Sequence, residues 1–152
     1  MLEQVFSICG LLAMVGWAAL VIFPGKPFAV NVFARLLVPG LIGVVYITLM
    51  VGNRDLVPAD GGFGSLAAVK ALFQVDALLL GGWVHYLSFD LFVGSWEVED
   101  ARTRGVPHWL VLPCLFATLM AGPAGLLLYL LLRTLWLRWF STPSRLEAEQ
   151  TP

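Results

Sequence analysis

The sequence predicts an all-α membrane protein, an antiparallel bundle of four transmembrane helices. Hydrophobic residues make up 59% of the 152-residue chain and charged residues only 12%. A soluble domain usually carries about 25% charged residues, so this chain has too few to solvate its surface. The apolar residues also come in long runs, and a helix needs roughly 20 of them to cross about 30 Å of hydrocarbon. None of the runs shows the alternation of a membrane β-strand, about ten residues long. A helix satisfies its own backbone hydrogen bonds, which lipid cannot do.

The first run, Val5 to Phe23, is uncharged, and only Glu3 precedes it among charged residues. A signal peptide would want a basic leader and a small-residue cleavage site. Instead Pro24-Gly25-Lys26-Pro27 follows, so the run reads as a retained span. The second run, about Val32 to Val51, carries Arg35 near its start and ends at Gly52-Asn53-Arg54-Asp55. A turn-rich loop with Pro58 and Gly61-Gly62 comes next. The third run extends from near Leu66 to Trp96, interrupted by Lys70, Gln74, Asp76, His85 and Asp90. The fourth, Trp109 to Leu132, is uncharged and closes with Arg133, Trp136, Arg138 and Trp139, residues typical of the lipid–water interface. Residues 1–140 form one transmembrane domain on this reading, and 141–152 a polar, disordered tail. Four spans place both termini on one side, with a slight excess of basic residues there.

Several classes of function are disfavoured. The formal net charge is −1, with no concentrated basic face for nucleic acid. Cys9 and Cys114 both lie within apolar runs and belong to no metal-ligand motif. Repeated, broken helices of the kind transporters use are not evident, which lowers a proton-coupled transporter to a minor alternative.

The polar chemistry sits in the third run. An Asp near the centre of a span costs about 2.5–3.5 kcal/mol on insertion scales, so Asp90 and His85 need partners, water or a ligand. Asp76, Trp83, Asp90 and Glu97 recur at intervals of seven and share one slowly drifting stripe. His85 lies about 140° around a regular helix from Asp90. Interhelical hydrogen bonding is the structural alternative to a site. Asp76 is expected to pair with Arg133 or Lys70, and Arg35 with Glu97 or Asp90. Glu97, Glu99 and Asp100 read as a solvated loop face. Trp83, Tyr86 and Phe89 either pack or wall a long, flat apolar ligand. Gly122-Pro123 either permits close packing or exposes backbone to that ligand.

The segment Trp83-Val84-His85-Tyr86-Leu87-Ser88-Phe89-Asp90-Leu91-Phe92-Val93-Gly94, continuing through Trp96, Asp100-Ala101-Arg102 and Gly105-Val106-Pro107-His108, resembles the central signature of the abscisic-acid-deficient, neoxanthin-synthase-like membrane family. Pro113-Cys114-Leu115, Gly122-Pro123-Ala124-Gly125-Leu126-Leu127-Leu128-Tyr129-Leu130 and Arg133 are similar to the same family. The resemblance is specific over residues 80 to 133. It implies a small multi-pass protein of the kind tied in plants to making neoxanthin from violaxanthin, with His85, Asp90 and Asp100 as family-like polar positions. A Ser/Arg-rich transit segment is not evident, which suggests a bacterial plasma-membrane member. The expectation is an enzyme, or enzyme component, that acts on a carotenoid-like terpenoid by acid/base isomerisation or epoxide opening, without a cofactor or metal. His85 and Asp90 are its expected acid/base pair, at the polar end of one narrow pocket opening to lipid. Trp83, Tyr86, Phe89, Asp100, Gly122 and Pro123 are its expected substrate contacts. The alternative is a non-catalytic membrane subunit binding a lipid or pigment. The bilayer and an apolar terpenoid are the implied partners, and four short helices leave room for a homo-oligomer.

Overall fold

Glu3 is the only charge in the first helix, α1 (Leu2–Ile22), and it sits in the first turn, where the helix dipole favours an acid. The computed structural model describes residues 1–140, so the predicted tail, 141–152, lies outside the described residues. Helix α2 (Phe28–Gly52) is wound in two ways. Phe28–Leu37 has wide π turns, and ordinary α turns begin at Val38. Pro39 accounts for the change. It has no N–H to return to Arg35, so the ladder must be re-spaced around it.

The third run does not form one helix. Ser65 caps a short α3 (Leu66–Leu72) by accepting a 3.1 Å hydrogen bond from the Ala68 N–H. The chain then turns, and α4 (Asp76–Thr103) begins at Asp76. Lys70 and Gln74 therefore lie before the long helix and not within it. Helices α1, α2 and α4 are each long and apolar enough to cross a membrane. All described regular elements are helical.

Helix α4 is central and packs against α1, α2 and the helix that follows it. Two glycines let neighbours approach closely. A Cβ at Gly94 would come within 2.6 Å of the Trp17 ring, and one at Gly81 would collide with the Met50 methyl. Val84, Leu87, Leu91 and Val98 fill the core with Ala13, Trp17, Leu20, Val38 and Ile42.

The fourth run departs most from expectation. It divides at Gly122 into α5 (His108–Ala121) and α6 (Pro123–Phe140). Gly122 has φ +27° and ψ −87°, outside helical geometry. Three contacts show that α6 folds back along α5. A Cβ on Gly125 would collide with the Thr118 backbone. The Tyr129 hydroxyl donates to Asp100 Oδ2 at 2.7 Å, and Arg133 reaches the same oxygen at 3.2 Å. Yet α5 starts beside that end of α4, where His108 Nε2 lies 3.2 Å from the Val21 carbonyl oxygen. Thus α5 runs antiparallel to α4 as far as Asp90, and α6 returns toward Asp100. With 14 residues, α5 reaches only about 21 Å, short of a full span. The expected fourth span is a helical hairpin, and Arg133 lies at the opposite end of α4 from Lys70.

Candidate functional site at the hairpin tip

The tip of the hairpin rests on the middle of α4. Leu119, in the last turn of α5, has a carbonyl outside the helical ladder, and the Tyr86 hydroxyl donates to it at 2.7 Å. One helical turn beyond Tyr86, the Asp90 carboxylate lies against Gly122. A Cβ there would sit 2.8 Å from Asp90 Oδ1, so both the backbone angle and the space call for glycine. Pro123 opens α6 as its first residue, a position where its missing N–H costs nothing. Asp90 therefore lies beside the positive end of the α6 dipole. Its Oδ2 is buried without a hydrogen-bond partner among the described residues. Trp83 extends the cluster outward, with ring centroids 5.4 Å from Tyr86 and 5.7 Å from Phe6.

Two turns further along the same stripe is Glu97, which is fully buried. The Thr118 hydroxyl donates to its Oε1 at 2.9 Å, and Oε2 has no partner among the described residues. The sequence places Glu97 on a solvated face, which the structure corrects. Its seven-residue spacing from Asp90 turns it inward against α5. That spacing is the signal the acidic neighbours Glu99 and Asp100 obscure.

The remaining expected site residues go elsewhere. Asp100 is not solvated but bound by Tyr129, Arg133 and Arg104, the last at 2.8 Å. Trp96 closes this network, edge-on to Tyr129 at 5.7 Å and under the Arg133 guanidinium at 6.0 Å. Asp100 thus fastens α6 to α4. Arg35 donates to the Ser95 hydroxyl at 3.1 Å and to the Ser95 carbonyl at 2.7 Å, and not to Glu97 or Asp90. Asp76 forms no ion pair among the described residues. It opens α4 and lines, with Glu3, Phe6, Leu79 and Trp83, a hollow of about 330 Å³.

His85 and Asp90 do not meet. His85 stacks on Phe89 at 4.4 Å and tilts against Tyr46 at 5.6 Å, on the α2 side of α4. It opens onto a cavity of about 390 Å³ between α2, α3, α4 and their connecting loop. The single pocket expected to hold both residues is divided by α4 itself. The structure brings together Trp83, Tyr86, Asp90, Gly122 and Pro123, and it separates His85, Phe89 and Asp100 from them.

The fold and site describe a small helical protein with three membrane-length apolar helices and a helical hairpin docked on a polar stripe. The family model for ABA4-like proteins (ABA DEFICIENT 4-like) matches residues 4–129. The chain belongs to the ABA4-like family. No curated protein and no solved structure matches the chain.

Proposed function

We propose that this chain is a multi-pass membrane protein that acts on a carotenoid-like terpenoid, with Asp90 as its acid/base group. The family match over residues 4–129 carries this reading. In the bilayer, α1, α2 and α4 span, and the hairpin dips in from the side where α4 ends. The tip and Asp90 then lie near mid-depth, within reach of a lipid-dissolved molecule. Irregular backbone at such depth is tolerated where protein or a cavity satisfies it.

Asp90 fits an isomerisation without a redox step. Its carboxyl proton goes to an oxygen on the terpenoid ring, such as an epoxide oxygen, and the C–O bond breaks. The resulting carboxylate takes a proton from a neighbouring carbon, and the electron pair left behind becomes a new double bond. No atom is gained or lost overall. Tyr86, fixed by its bond to Leu119, holds the approach to Asp90.

The separation of the His85 cavity from Asp90 favours a second reading, a non-catalytic subunit that binds the pigment for a partner enzyme. Incubating the purified protein in nanodiscs with epoxidised and hydroxylated carotenoids, followed by mass spectrometry, separates the two. The catalytic reading expects an isomer from wild type and none from Asp90→Asn, with binding retained in both. Binding without conversion by wild type supports the subunit reading. Full turnover by Asp90→Asn would place the chemistry elsewhere.

A further inference from the structure

We infer that the cavity beside His85 is a second binding site, for the hydroxylated ring end of a membrane-dissolved isoprenoid, with His85 and Tyr46 as its polar contacts. The ligand class rests on the function proposed above, while the site rests on its own geometry. The cavity holds about 390 Å³, at the lower end of the roughly 300–1,000 Å³ of small-molecule sites. That suits a ring end group better than a whole carotenoid. Aromatic residues from three elements wall it: Tyr46 from α2, Phe63 from the loop and Phe73 just after α3. On α4, Leu78, Gly82 and His85 line it at helical spacing. A Cβ on Gly82 would press on the Phe73 ring at 3.1 Å, so glycine keeps this wall open.

Polar groups are few and free. Neither the His85 ring nor the Tyr46 hydroxyl is hydrogen-bonded to another described side chain or backbone group; the two rings lie 5.6 Å apart, and His85 stacks on Phe89. An apolar cavity with two unengaged hydrogen-bonding groups matches an apolar ring carrying a hydroxyl. Arg54 stands at the rim but has Asp55 at 3.6 Å. Its side chain is 76% exposed, and no other described Arg and no described Lys, Asp or Glu lines the cavity, which favours a neutral ligand over an anionic headgroup. Phe63 is 89% exposed and Leu66 85% exposed, so the loop beside the cavity presents apolar residues to its surroundings. An entry from lipid is the natural route.

The test titrates wild type in nanodiscs with zeaxanthin, which has a hydroxyl on each ring, and with β-carotene, which has the rings alone. Polyene absorption shifts and induced circular dichroism report binding. Zeaxanthin is expected to bind roughly three- to tenfold more tightly, the range of one net hydrogen bond. His85→Leu should weaken that preference and adding Tyr46→Phe should abolish it, while β-carotene affinity is kept. Val57→Trp, which fills the cavity from the loop and leaves every helix residue unchanged, should weaken both carotenoids. Anionic phospholipid, added as a competitor to the zeaxanthin complex, serves as the third arm. Zeaxanthin binding unchanged by His85→Leu and Val57→Trp overturns this site and leaves the proposed function standing. Binding of neither carotenoid by wild type overturns the proposed function as well. A phospholipid that displaces zeaxanthin in an Arg54-dependent manner overturns the neutral-ring assignment.

Discussion

Arg133 distinguishes a hairpin from a span more sharply than any other residue. In the structure it lies 3.2 Å from Asp100, with side chains 24% and 11% exposed respectively. A hydrogen bond to a charged group contributes about 1.5–3 kcal/mol, but exposed ion pairs contribute about 0–1. Partial exposure and the competing Arg104 place the coupling near 1 kcal/mol. A double-mutant cycle of Asp100→Asn and Arg133→Gln should recover that value by reversible unfolding in detergent. If α5 and α6 were one straight span, the 25 steps from His108 to Arg133 would carry Arg133 about 37 Å away. Coupling would then vanish. Cysteines placed singly at positions 104 and 133 add a second readout, and both should be labelled from the same side of a sealed vesicle. Zero coupling together with labelling from opposite sides would refute the hairpin.

Two further substitutions probe its packing. Gly125→Ala puts a methyl group into the Thr118 backbone, which cannot give way as a side chain could. A loss of about 1–3 kcal/mol or more is expected, and wild-type stability would show that the two helices do not touch there. Thr118→Val keeps the volume but removes the only hydrogen bond Glu97 makes among the described residues. It should cost about 1–3 kcal/mol, part of it recovered by adding Glu97→Leu; an unchanged unfolding midpoint for Thr118→Val would place Glu97 in contact with water.

Much of the helical frame is legible because run length against bilayer thickness is a local property. The wrong fourth span has a different cause. Gly122-Pro123 marks a break in the sequence, and a break can kink a helix or reverse it. Reversal is decided by contacts distant in sequence, Tyr129 and Arg133 against Asp100, which no local pattern carries. Arg35 fails similarly. A carboxylate is its expected partner, yet Ser95 offers a hydroxyl and a carbonyl that match the guanidinium fork. Glu97 points to α5 on another side of α4. The π turns before Pro39 have no sequence signal beyond the proline. The angular separation of His85 from Asp90, by contrast, follows from helical periodicity and is what the structure shows.

That separation constrains any account of catalysis. Leu78, Gly82, His85 and Phe89 follow one another at three- and four-residue steps and face α2 and the loop. Trp83, Tyr86, Asp90 and Glu97 turn toward α1 and the hairpin. Between the two sets, the Ser88 hydroxyl donates to the Pro39 carbonyl at 3.1 Å, and Val84 and Leu91 are wholly buried. His85 meets Tyr46 and Phe89, whereas Asp90 lies against Gly122. The two sets of contacts share no residue, so separate tasks suit His85 and Asp90 better than a shared acid/base step. Their substitutions should then divide the kinetics. Loss of His85 acts on affinity and leaves the chemical step, whereas loss of Asp90 removes the chemical step and leaves affinity. The same symptom from both would mean that one of the two faces of α4 has been assigned the wrong task.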